Sequence, residues 1–138
     1  MKALKTVLTL AACASITSIV VGADSPDISK LPPASDKKGL TFDADIKPML
    51  EKSCIKCHGA EKPKGKYRVD SKEAFIKGGE SGDAAVEAGK SDKSLVVHYV
   101  ADLVTDMEMP PVDKRERYPA LTKEQIGVLR AWIDQGAK

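Results

Sequence analysis

The sequence predicts an all-α fold, on three observations. No stretch alternates apolar and polar residues over strand length, whereas apolar residues recur at helical spacing from 42 to 59 and from 121 to 136. The intervening segments are broken repeatedly by glycine and proline. The chain also carries only one tryptophan, three tyrosines and two phenylalanines in 138 residues. A core built from these alone is thin, so a large apolar cofactor is expected to supply part of the buried surface.

Taken in order, residues 1–23 read as a cleaved secretory signal. Lys2 and Lys5 precede an uncharged apolar run from Thr6 to Val21, and Val21-Gly22-Ala23 offers small residues ahead of a cut before Asp24. The run is shorter than the roughly 20 residues a spanning helix needs. Leu10-Ala11-Ala12-Cys13 resembles a lipoprotein signal, but the apolar run continues well past Cys13. A membrane attachment is therefore expected only if Cys13 is lipidated. Residues 24–40, with Pro26, Pro32 and Pro33 and few apolar side chains, read as a flexible linker. One domain is expected over 41–138.

The first helix carries Ile46, Met49, Leu50, Cys54 and Cys57 on one face, with Asp45 as its cap and Pro48 tolerated in its first turn. It is expected to stop near Gly59. A Lys/Pro/Gly loop covers 61–66. Asp70 and Glu73 have capping-box spacing and open a short helix through Ala74, Phe75 and Ile76 that ends at Gly78-Gly79. Residues 80–89 read as loop. Ser91 is expected to cap a helix with Leu95, Val96, Tyr99 and Leu103 along one side. Asp106-Met107-Glu108-Met109-Pro110-Pro111 reads as stiff and extended, since each proline drives its predecessor out of the helical region. In the last helix Thr122 and Gln125 form a capping box, Leu121 staples onto Ile126, and Ile126, Leu129 and Ile133 make the buried stripe up to Gly136.

Charge narrows the function. Without residues 1–23 the chain loses Lys2 and Lys5 and no acid, which leaves 20 basic against 20 acidic residues. That balance points away from nucleic acid and from a strongly charged membrane surface. It also leaves Cys54 and Cys57 as the only cysteines, so their pairing and placement matter.

Cys54-Ile55-Lys56-Cys57-His58 is the C-x-x-C-H signature of c-type haem attachment. Two thiols about one helical turn apart can add to two vinyl groups on one porphyrin edge, and the adjacent histidine becomes the proximal iron ligand. A sixth ligand must come from Met49, Met107, Met109 or His98. Met49 belongs to the apolar stripe. Met109 is best placed, because Pro110-Pro111 fixes its backbone; Met107, two residues earlier, shares its side and is the rival. His98 would give bis-histidine ligation, but its apolar neighbours suit a core histidine better. Arg68 could pair with a haem propionate. Lys62, Lys64 and Lys66 form either a positive rim or a merely solvated loop, and Tyr67 and Trp132 read as packing groups.

These residues point to an exported, periplasmic-type monohaem electron carrier serving redox protein partners, with no catalytic residue and no small-molecule substrate evident. A second class is a haem sensor for CO, NO or O2, in which Met109 dissociates. A third uses Cys54 and Cys57 without haem, as a thiol redox pair or with His58 and His98 around zinc. The thiol version lacks a β-α-β pattern, and the zinc version asks the adjacent Cys57 and His58 to bind one ion.

Residues Phe42 to Ala137 resemble the planctomycete-type cytochrome c domain, a relative of the class I cytochromes c. The likeness runs through Phe42, Ile46-Lys47-Pro48-Met49-Leu50, Cys54-Ile55-Lys56-Cys57-His58-Gly59, Lys64-Gly65, Arg68-Val69-Asp70-Ser71, Gly78-Gly79, Ser94-Leu95, Met109-Pro110-Pro111 and Trp132-Ile133-Asp134-Gln135-Gly136-Ala137. The resemblance implies a cytochrome c-like helical fold whose N- and C-terminal helices pack together. It also implies one covalent haem c on Cys54 and Cys57, with Met109 as distal ligand. Such domains often precede large further domains; here the sequence ends at Lys138, so a free-standing carrier or small subunit is expected.

Overall fold

The computed structural model describes residues 25–138, so the expected signal and Cys13 lie outside the described residues. Among the described residues there is no strand. The α-helices are α1 (Lys47–Ser53), α2 (Ile55–His58), α3 (Lys72–Lys77), α4 (Leu95–Val100) and α5 (Lys123–Asp134), joined by loops and single 3-10 turns.

The expected first helix is three pieces. A wide π-turn over Phe42–Ile46 leads into α1, and the chain then breaks at Cys54 (φ −124°, ψ −38°) before α2. Hydrogen bonding survives the break, because Cys54 N–H donates to Leu50 O (2.8 Å) and His58 N–H to Cys54 O (3.0 Å). The cap is Thr41, not Asp45. Its hydroxyl accepts from Ala44 N–H (3.3 Å), while the Asp45 carboxylate reaches back to accept from Thr41 N–H (2.8 Å). The two residues thus divide the reciprocal work of a capping box.

Two further caps shift. Ser71, rather than Asp70, caps α3, because the Asp70 carboxylate is taken by Arg68. Ser91 lies in a 3-10 turn ahead of α4 and is gripped by Asp134, its N–H and Oγ donating to the two carboxylate oxygens at 2.8 and 3.0 Å. Only α5 starts as expected, with both halves of the Thr122/Gln125 box made.

The first and last helical segments do pack together. Trp132 of α5 is fully buried against Phe42 (centroids 5.8 Å apart) and Phe75 (6.1 Å), and Phe42 meets Phe75 at 5.7 Å. Ile46, Leu50, Leu129 and Ile133 fill the space around this cluster.

The sequence reading makes 24–40 a flexible linker; in the structure its second half is a strap along α5. Ser35 N–H donates to Gly127 O (2.9 Å), and Gln135 both accepts from Gly39 N–H and donates to Lys37 O (2.9 Å each). The Arg130 guanidinium donates to Pro32 O, and Leu40 is buried. The partners are nearly a hundred residues away in sequence, so composition alone carries no sign of them.

Gly127 makes this approach possible. A Cβ there would lie 2.7 Å from Pro33 O. On a bare helix Gly127→Ala would stabilise by about 1 kcal/mol through helix propensity. Here the strap has to move, so the expected sign is reversed, with an overpacking cost of about 1–3 kcal/mol. The variant should melt below the parent and be nicked sooner by protease within 31–40. Higher stability with unchanged proteolysis would mean that the strap does not bear on α5.

Candidate functional site

The site starts from α2, which presents Cys54, Cys57 and His58 within a single turn. His58 is half-buried, and its Nδ1 lies 3.1 Å from the Tyr67 carbonyl oxygen. A carbonyl only accepts, so Nδ1 carries the proton and Nε2 keeps a free lone pair. Burial also holds the His58 pKa below its ordinary value, outweighing the opposing hydrogen bond to Tyr67. The imidazole is therefore neutral at neutral pH, the form that binds metal.

Tyr67 is fixed in turn. Its hydroxyl donates to Phe75 O (3.1 Å), its ring stacks on Phe75 (6.1 Å), and its edge meets the His58 ring (5.4 Å). Val69 N–H donates to His58 O (2.9 Å), tying the far side of the loop back to α2. An aromatic chain thus runs from Trp132 in the core to the histidine.

Beside His58 opens an apolar cavity of about 330 Å³. Cys54 and His58 line it together with the apolar Leu50, Val69, Phe75 and Leu129. Leu95, Val96, Tyr99 and Val100 of α4 form another wall, and Gly78-Gly79 bring backbone close to its edge. Met107 and Met109 both line it. Met109 is half-buried against the core, whereas Met107 is 41% exposed. The Met109 N–H donates to Tyr99 O (3.0 Å), and Met109–Pro110 is a cis peptide.

The other sequence candidates fall elsewhere. Met49 is buried in the core and does not line the cavity. His98 is buried, with Nε2 2.7 Å from Asp92 O, and does not line the cavity. Arg68 forms a fork with Asp70 (2.9 and 2.5 Å) on the surface and does not line the cavity. Lys64 reaches the rim, while Lys62 and Lys66 remain outside it. Tyr99 is a wall residue that sequence reasoning placed only on an apolar helix side. Its spacing from Leu95 and Val96, four and three residues on, was the available signal.

The non-haem readings find little support in this chemistry. Burial, and next the neighbouring Cys57, push the Cys54 thiol up to about 12, opposite to the lowered value of a reactive redox thiol. Among the described residues no three His, Cys, Asp or Glu side chains converge as a metal-binding group. Cys57 is free but does not line the cavity. A cavity with apolar walls, lined also by the free Cys54 thiol, a neutral imidazole and Met109, suits a flat apolar macrocycle carrying a central iron.

Among the described residues no helix is long and apolar enough to cross a membrane. No curated protein and no solved structure matches the chain. Residues 54–113, from the first motif cysteine to just past Met109-Pro110-Pro111, match the family model described as Planctomycete cytochrome C, so this segment is similar to that family.

Proposed function

We propose that the protein is an exported monohaem c-type cytochrome that carries single electrons between protein redox partners. In this reading Cys54 and Cys57 hold haem c through thioethers, His58 is the proximal iron ligand and Met109 the distal one. The observation that carries it is the cavity itself, whose walls draw Cys54, His58 and Met109 together from the two ends of the matched segment.

Haem supplies the one-electron iron couple; the chain does the rest. The Tyr67 carbonyl fixes the tautomer and ring orientation of His58 and raises the basicity of Nε2. A methionine thioether, softer than imidazole, sets a higher potential than a second histidine would. Leu50, Val69, Phe75 and Leu129 keep the site dry. Export rests on the signal read in residues 1–23.

The test is a reduced-minus-oxidised visible spectrum of protein co-expressed with haem c maturation factors, beside Met109→Ala and Met107→Ala. The expected result is sharp reduced α/β bands and a weak far-red sulfur-to-iron band in the oxidised form, lost in Met109→Ala and kept in Met107→Ala. The reverse pattern assigns the ligand to Met107. A five-coordinate resting spectrum supports a small-ligand binder, and haem released by acid-acetone extraction overturns covalent attachment.

A further inference from the structure

The segment bearing Met109 is held by its backbone on both sides. Before the proline, Met109 N–H donates to Tyr99 O at the end of α4 (3.0 Å). After it, the Pro110 carbonyl accepts from Arg115 Nε (3.0 Å). The remaining Arg115 nitrogens fork onto both carboxylate oxygens of Asp102, at 2.8 and 2.6 Å. Asp102 follows directly on α4 in the left-handed region (φ +56°), and its own N–H reaches the same Tyr99 carbonyl (3.4 Å). One guanidinium therefore closes the loop from 102 to 115 and ties the Met109–Pro110 unit to the end of α4. With its side chain only 24% exposed, Arg115 is the better shielded half of the pair.

We propose that Arg115 is a positioning residue that keeps the Met109 sulfur in the cavity against competing iron ligands. The inference rests on the reading of Met109 as distal ligand. An iron–thioether bond is weak, so how often it opens depends on what holds the methionine backbone. A planar fork that bonds Asp102 through two nitrogens and Pro110 through a third is geometry that lysine cannot copy. The side chain touches neither the cavity nor the donor atoms. Its effect is on the open–closed balance of the loop.

The experiment compares the oxidised holoprotein with Arg115→Gln, Arg115→Lys, Asp102→Asn and Met109→Ala. Imidazole titration, the far-red sulfur band and hydrogen exchange at the Met109 amide are the readouts. Arg115→Gln is expected to bind imidazole about tenfold more tightly than the parent, the scale of losing a hydrogen bond to a charged group. It should also weaken the sulfur band and deprotect the Met109 amide. Asp102→Asn should fall in between, and lysine should not restore the parent values. If Arg115→Gln fails to fold, Asp102→Asn alone carries the comparison. Imidazole affinity within twofold of the parent and an unchanged amide, in a protein where Met109→Ala does change both band and affinity, overturns the positioning role. If Met109→Ala changes neither, the ligand reading itself fails, and the positioning role falls with it.

Discussion

Trp132→Ala is expected to remove about 3–5 kcal/mol of stability from the folded protein. The indole is fully buried and meets both Phe42 and Phe75, so its loss leaves a cavity between the first and last helical segments. Its Nε1–H also donates to Lys138 O (2.9 Å), which pins the chain beyond α5 over the core. The consequences should not stop at stability. Phe75 stacks on Tyr67, and the Tyr67 carbonyl sets the His58 tautomer, so the site loses the back wall that orients its histidine. Trp132→Phe keeps most of the packing and gives up the indole bond, worth about 1 kcal/mol. Denaturant melts of the holoproteins separate the two. A Trp132→Ala variant within about 1 kcal/mol of the parent would show that the aromatic cluster is not what joins the two ends of the fold.

The parts of this architecture that were legible in the sequence are those encoded by short spacings. The Thr122/Gln125 box and the Ile126, Leu129, Ile133 stripe specify α5 within a dozen residues, and the structure has them as read. The C-x-x-C-H run and the Met-Pro-Pro run are equally local, and both border the cavity. What stayed hidden depends on distant partners or on competition between neighbours. Asp70 has cap spacing, but a guanidinium two residues earlier outcompetes the backbone for its carboxylate. Asp45 serves the helix start from inside the first turn because Thr41 occupies the cap. The strap over 32–40, the Ser91–Asp134 grip and the Arg115–Asp102 fork join residues that no periodicity relates.

Gly78→Ala is the substitution expected to damage both fold and site together, by about 2–6 kcal/mol. Gly78 adopts φ +91°, ψ −171°, a region essentially reserved for glycine, and a side chain there is strained by about 1–3 kcal/mol. A Cβ would also stand 2.1 Å from Asp83 O and 3.1 Å from Ala85 N, and forcing that gap open adds about 1–3 kcal/mol more. The displaced segment is not a free loop. Ala85 N–H donates to Ile76 O (3.1 Å), and Ala85 O accepts from Val96 N–H (3.1 Å), so moving it pulls on both α3 and the start of α4. Gly78 and Val96 both line the cavity that His58 also lines, which carries the disturbance to the site. Gly82→Ala separates the causes: Gly82 has φ +85° but nothing within 4 Å of its would-be Cβ. It should lose only the backbone term, about 1–3 kcal/mol, and leave the sulfur band intact. Equal melting losses in the two variants would mean that backbone strain alone governs this turn. A larger loss at Gly78, with a weakened band, would show that the close approach of 78 to 83 is what shapes the cavity edge.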